Sequence, residues 1–223
     1  LENPKQGEHN MTTIEALCKE KARSGFDRQA KDYDTSRYGE HARALYPHVM
    51  ERLECFPYRS LLDVGCGTGA VLSMAAKHRV GARVAGVDLS FEMIKAARKK
   101  LDGRADLRIG DAEHLPWPDH TFDVVLCMDS FHHYPDPGRA LSEMRRVVMP
   151  SGRLILGDCW VPTPFRQIVN LFLPFSKEGD VKIYSEGEVR TLLEDSGFTD
   201  IHWDRVTPRA YVVTAASGGK KGK

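Results

Sequence analysis

Nowhere in the chain do about 18 apolar residues follow one another, so no segment is expected to cross a bilayer as a helix. The opening residues lack a basic stretch followed by an apolar one, and no signal peptide is expected. Neither sign of charge dominates, with 32 Lys and Arg against 31 Asp and Glu. Without a global field, nucleic acid or an anionic membrane would need a local patch, and a nucleic-acid partner is not expected. The five cysteines, Cys18, Cys55, Cys66, Cys127 and Cys159, are odd in number and never spaced as CxxC. That usage suits a reducing compartment better than a disulfide framework and points to a cytoplasmic protein. Internal repeats are also missing.

What is there is enough chain, 223 residues, for one sizeable core. Between Gly39 and Phe56 the apolar positions Ala42, Leu45, Tyr46, Val49, Met50 and Leu53 recur at spacings of three and four, which predicts a helix with one buried stripe. Strands are then expected at Ser60 to Gly65, Arg83 to Asp88, Leu107 to Gly110, Phe122 to Met128 and Arg153 to Asp158. Helices are expected from Gly69, over Ser90 to Leu101 and near Gly138 to Val148. Such alternation implies right-handed crossovers and a mostly parallel sheet with helices on both faces. Ser185 and Glu188 form a capping box before another helix that stops at Gly197. Runs at Asp200 to Arg205 and Arg209 to Ala215, about a Thr207-Pro208 turn, complete seven strands with an antiparallel C-terminal pair. Residues 1–11 are expected to be a disordered start, 12–216 one domain, and 217–223 a disordered basic tail. Within the domain, 12–56 forms a helical lid and 161–184 an insertion over the site at the strand ends.

The segment Leu61-Leu62-Asp63-Val64-Gly65-Cys66-Gly67-Thr68-Gly69 is an apolar strand running into glycines that open a helix. Glycines there permit a tight turn and let a ligand lie on bare backbone near a helix N-terminus. The spacing of Gly65, Gly67 and Ala70 also fits the dinucleotide pattern GxGxxA, with Asp88 about 20 residues on. What separates the two readings is Asp63, two residues before the first glycine, and the motifs that follow: Gly86-Val87-Asp88-Leu89-Ser90, Gly110-Asp111-Ala112, Phe122-Asp123-Val124-Val125 and Pro150-Ser151-Gly152-Arg153-Leu154. In these motifs, over about Leu61 to Asp158, the chain resembles the class I S-adenosylmethionine-dependent methyltransferases. The resemblance implies a Rossmann-like α/β fold and S-adenosyl-L-methionine as cofactor, with S-adenosyl-L-homocysteine as product.

That cofactor carries an ammonium, two ribose hydroxyls, an adenine and a sulfonium, so carboxylates suit three of its parts. By resemblance, Gly65, Cys66 and Gly67 approach its methionyl and ribose portion, and Asp63 lies near the amino group. Asp88 accepts both ribose hydroxyls, with Leu89 beside it and Met93 under the adenine. Asp111 accepts the adenine amino hydrogen while the Ala112 backbone reads a ring nitrogen, and Met128 borders the site. Plainer readings stand beside these: Asp88 as a cap on the helix at Ser90, Asp111 as an ordinary turn acid, Cys66 as a small filler.

After the Phe122 to Met128 strand comes Asp129-Ser130-Phe131-His132-His133-Tyr134-Pro135-Asp136-Pro137, similar to the fourth motif of small-molecule and quinone-ring methyltransferases. It is unlike the Asn/Asp-Pro-Pro-Tyr/Phe element of enzymes acting on nucleobase or glutamine nitrogens. A base is needed where the nucleophile carries a proton, and histidine suits that role. His132 is a candidate base, with His133 near substrate or packed structurally. Asp129 either orients a substrate or histidine or caps the loop, and Asp158 is an alternative base facing the same crevice. A metal held by Asp129 and the two histidines matches no common zinc spacing, and none is expected. Phe26-Asp27, Tyr33-Asp34 and Tyr38 resemble the aromatic lid of quinone-type relatives, with Tyr33 toward the cofactor and Tyr38 toward substrate, or both anchoring the helix. The apolar run Phe165 to Phe175 lines an acceptor pocket or forms a dimer contact. The expected function is methyl transfer to carbon, oxygen or nitrogen of a small molecule. Alternatives are a non-catalytic adenosylmethionine-binding module and a nicotinamide-dependent oxidoreductase, the latter weakened by the lack of a Tyr-xxx-Lys element.

Overall fold

The strand β1 (Ser60–Val64) is buried at every position, as befits a central parallel strand covered on both faces. The computed structural model describes residues 12–218. On either side of β1 lie β2 (Arg83–Asp88) and β4 (Phe122–Met128), both parallel to it. β3 (Ala105–Ile109) continues the sheet beyond β2, and β5 (Val148–Cys159) beyond β4. β6 (Thr199–Thr207) and β7 (Ala210–Ala216) complete the order β3-β2-β1-β4-β5-β7-β6. The expected seven-stranded, mostly parallel sheet is thus present. β7 alone runs against its neighbours, pairing antiparallel with both β5 and β6.

Adjacent side chains of each strand point to opposite faces, and each face has its own core. Leu62, Val64, Val125 and Cys127 pack with α5 (Pro137–Val147) and α7 (Glu186–Asp195). Leu61, Val84, Val124 and Leu126 pack beneath α2 (Glu40–Glu54), α3 (Ala70–His78) and α4 (Phe91–Leu101). The stripe read on α2 is the buried one, through Ala42, Leu45, Val49 and Leu53. β5 begins earlier than expected because Val148 already pairs with Phe122, across an irregular register near Val124.

Two helices lie in the regions outside the alternation. α1 (Thr13–Gln29) starts at a Thr12/Glu15 capping box and buries only Ala22 and Gly25. It therefore has no apolar stripe for a periodicity reading to find. α6 (Phe165–Phe172) does have one, but Phe165, Ile168, Leu171, Phe172 and the following Phe175 are exposed. None of residues 165–175 lines either cavity described below, so the pocket reading of that run is not what the structure shows. Ser217 and Gly218, expected in a solvated tail, are instead held: Ser217 N–H donates to Gly152 O at 3.0 Å and Arg145 reaches Gly218 O at 2.7 Å. The readings of residues 1–11 and of the basic tail past 218 lie outside the described residues. Among the described residues, no helix is long and apolar enough to cross a membrane.

Candidate active site

The sheet order reverses between β1 and β4, and the crevice at their carboxyl ends is where ligands bind in such sheets. A cleft of about 1010 Å³, counted to its mouth, lies there. It is floored by Gly65, Cys66 and Gly67 after β1, Asp88 and Leu89 at the end of β2, Asp111 and Ala112 after β3, and Met128 at the end of β4, with Asp63, Met93 and Tyr33 also on its wall. Every residue assigned to the cofactor from sequence thus borders one space.

The glycine turn is held open by its own backbone. Gly65 and Cys66 N–H groups donate to Val87 O at 2.9 and 3.0 Å. Gly65 has φ of +75°, and a Cβ there would lie 2.5 Å from Ser130 Oγ. Gly67, with φ of +51°, has no described atom within 4 Å of where a Cβ would stand, leaving bare backbone toward the cleft.

Asp88 accepts from Gly67 N–H through Oδ2 and from Ser90 N–H through Oδ1, each at 2.8 Å. It therefore does steady the start of α4 while also lining the cleft, and each oxygen keeps a lone pair. Burial pushes its carboxyl up to about 6 despite those backbone bonds. Asp63 is more extreme: burial, and next the charge of Asp88, push it up to about 7. Its Oδ1 is buried and has no hydrogen-bond partner among the described residues. Buried carboxylate oxygens rarely stay unpaired, so Asp63 suits a cationic partner from the cleft.

Asp111 shows the turn-acid geometry through Oδ1, which accepts from Glu113 N–H at 3.0 Å. Its Oδ2 meets Lys19 Nζ of α1 at 2.7 Å, and Lys19 also pairs with Glu113. Part-burial opposes the charge on Lys19, but the two carboxylates outweigh it and raise its pKa. Sequence reasoning missed Lys19, since one lysine on a charged helix carries no pattern. α1 is pinned over the cleft by polar ties. Asp27 accepts from Ser90 Oγ at 2.6 Å, and in the segment after α1 Asp34 accepts from Thr68 Oγ1 at 2.6 Å and Lys100 at 2.7 Å. Cys66 is buried and its thiol is pushed well up by burial, which fits a filler rather than a nucleophile.

A second, outer cavity of about 1000 Å³ adjoins the first and is lined by Tyr38, His41, His132, Cys159 and Glu178. Phe26, Tyr33, Asp129 and His133 border both spaces. Tyr38 is partly exposed at the outer rim. Asp129 adopts φ of +52°, with its N–H on Gly157 O at 2.8 Å. The histidine it engages is neither His132 nor His133 but His41 of α2, Nδ1 to Oδ1 at 2.6 Å. His41 Nε2 is 3.1 Å from Arg209 O. Burial opposes charge on that ring, yet Asp129 raises its pKa above the ordinary value. Nothing in the α2 stripe marks His41 as different from other surface polar positions.

Asp158 needs correcting as a candidate base. Asp158 lines neither cavity and is 1% exposed. It accepts from His132 N–H at 2.9 Å, from Cys159 N–H at 2.6 Å and faces His132 Nδ1 at 2.5 Å. Burial disfavours both charges, but each group holds the other in its charged form, so His132 is raised and Asp158 lowered. Asp158 thus reaches the crevice only through His132, whose ring lines the outer cavity. His133 stays neutral, pushed down to about 4 by burial and then by the charge of His132.

Residues 62–156 match the model of a family described as "Methyltransferase domain". The malonyl-[acyl-carrier protein] O-methyltransferase of Serratia marcescens is 31% identical over 202 residues, covering 84% of this chain and 76% of that protein. The 27-O-demethylrifamycin SV methyltransferase of Amycolatopsis mediterranei is 39% identical over 111 residues, 47% of this chain and 40% of that one. Of the first-ranked curated relatives, matches span 44, 35 and 40% of their length, so the chain spans less than half of each. A putative methyltransferase from Bacillus halodurans has the same fold, with a TM-score of 0.67 at 20% identity over 78% of this chain and 98% of that one. The chain belongs to the class I S-adenosylmethionine-dependent methyltransferases.

The cleft fits that cofactor on its own chemistry: an unpaired buried carboxylate for the ammonium, lone pairs on Asp88 for hydroxyls, and bare backbone at Gly67. A pH dependence follows. The ligand's ammonium pairs with ionised Asp63, whose carboxyl burial raises to about 7. As pH falls through 7 the free protein takes up a proton that binding must expel. Affinity for S-adenosylhomocysteine is expected to be full above about pH 8 and to weaken below 7, by up to about tenfold per pH unit. Calorimetry at several pH values reads this directly.

Proposed function

We propose that the protein transfers a methyl group from S-adenosylmethionine to a carbon, oxygen or nitrogen nucleophile of a small molecule held in the outer cavity. The observation that carries this is the meeting of the two spaces: Tyr33, Asp129 and His133 belong to both walls. When bound, the cofactor supplies a sulfonium-activated methyl group for in-line displacement. Gly65, Gly67, Asp63, Asp88 and Met93 hold it in the inner cleft, with Asp111 and Ala112 at its adenine end. Asp111, held by Glu113 N–H on Oδ1 and by Lys19 on Oδ2, keeps a lone pair on each oxygen for an adenine hydrogen. In the outer cavity Asp129, fixed by His41, orients the nucleophile and takes its proton where it carries one. His132, held through Nδ1 by Asp158, lines the same wall, and Tyr38 stands at the rim. Phe26 and Tyr33 cover the junction, excluding water from the reacting atoms.

The small-molecule reading draws on the fourth-motif residues and on relatives named for rifamycin and malonyl-carrier substrates. The free thiol state of all five cysteines suits a cytoplasmic setting. The test is two-part. Calorimetric titration with S-adenosylhomocysteine should show micromolar binding at one site. Incubation with methyl-labelled donor and a cell extract should then place label in the low-molecular-weight fraction. Absence of binding overturns the donor site, label confined to macromolecules overturns the substrate class, and binding without any transfer favours a regulatory module.

A further inference from the structure

Three groups have no role in donor binding: His132 Nε2 and His133 Nδ1, from residues that line the outer cavity, and Asp180 Oδ1 beside them. All three atoms lie within 4.8 Å of one another. Asp180 Oδ1 is 3.6 Å from His132 Nε2 and 3.2 Å from His133 Nδ1. Ligands at zinc-like bond lengths around a tetrahedral ion stand about 3.4 Å apart, so both edges already have that length. Neither approach serves as a hydrogen bond. His133 Nδ1 is buried with no hydrogen-bond partner among the described residues, and its side chain is 9% exposed.

The groups behind these atoms are arranged as outer partners of a metal site are. Asp158 Oδ1 holds His132 Nδ1 at 2.5 Å, turning Nε2 toward the cluster. Ser176 Oγ donates to Asp180 Oδ2 at 2.5 Å, leaving Oδ1 free. Val181 and Lys182 N–H groups donate to His132 O at 2.8 and 3.2 Å, fixing the acid's segment to the histidine turn.

We propose that His132 Nε2, His133 Nδ1 and Asp180 Oδ1 bind a divalent transition ion of the zinc type, with its remaining coordination position toward the outer cavity. Two imidazoles and a carboxylate suit zinc, cobalt or ferrous iron better than magnesium or calcium. The sequence hides the set because two ligands are adjacent and the third is remote in the chain. The ion's role rests on the methyl-acceptor reading of the cavity: an acceptor hydroxyl or amine bound there gives up its proton more readily, and Asp129 takes that proton.

The full-length protein, stripped with a chelator and dialysed, is titrated with cobalt(II) and then with zinc(II) against a chromophoric chelator. One equivalent should bind, and cobalt should show the intense visible band of a four-coordinate site. His133→Gln and Asp180→Asn should each weaken zinc by about 100-fold or more, and Ser176→Ala by about tenfold. S-adenosylhomocysteine titration of the same samples reports folding and the donor site separately. Unchanged zinc affinity in both ligand variants, or less than about one-tenth equivalent in a wild-type sample that binds S-adenosylhomocysteine, overturns the ion and leaves the methyltransferase reading standing. Bound zinc without S-adenosylhomocysteine binding does the reverse.

Discussion

Asp129→Asn is expected to lower kcat by about 100- to 10,000-fold for a proton-bearing acceptor, the range associated with loss of a positioned base. Asparagine tolerates the left-handed backbone that Asp129 occupies at φ +52°. Its amide oxygen still accepts from His41 Nδ1, so the turn and the His41 contact survive while the proton acceptor is lost. Affinity for S-adenosylhomocysteine should stay within about threefold, which is below 1 kcal/mol. A variant that loses donor affinity as much as turnover would place Asp129 in the donor site instead. Full activity would mean that the nucleophile needs no base from this side chain.

Asp88→Ala should weaken S-adenosylhomocysteine binding by at least about 100-fold. Two hydroxyl hydrogen bonds to a carboxylate contribute roughly 1.5–3 kcal/mol each, and each 1.4 kcal/mol is tenfold. The same carboxylate also accepts from Gly67 and Ser90 N–H, so alanine removes both ligand contacts and the support of the glycine turn. Asp88→Asn separates these. It keeps an acceptor for one N–H but sets an amide nitrogen against the other, and its loss of affinity should be smaller than alanine's. Thermal unfolding of the ligand-free variants measures the structural share. If alanine leaves binding intact, Asp88 is only a helix cap.

The sheet and its flanking helices were legible because burial on two faces writes itself into sequence: continuous apolar runs at β1 and β4, and a spaced stripe on α2. The donor cleft was legible because its residues sit at strand ends in a fixed order. What escaped lies on elements without such constraint. α1 is tied down by Lys19, Asp27 and other polar groups rather than by an apolar face, and polar ties between remote residues leave no period. His41 reaches the outer cavity from α2, and Asp180 reaches the His132–His133 pair from the loop after α6, in the same way. Asp158 was placed in the crevice from its position at the end of β5, yet its carboxylate turns to His132 and Cys159. The apolar run Phe165 to Phe175, read as a pocket wall or a dimer contact, forms a helix whose apolar face is exposed in the single chain.

A crystal structure of the protein grown with S-adenosylhomocysteine tests the central claim most directly. The account expects the amino group within hydrogen-bond reach of Asp63, both ribose hydroxyls on Asp88, and the sulfur pointed toward Asp129 and the outer cavity. Ligand bound elsewhere, or with its sulfur turned away from that junction, would contradict it.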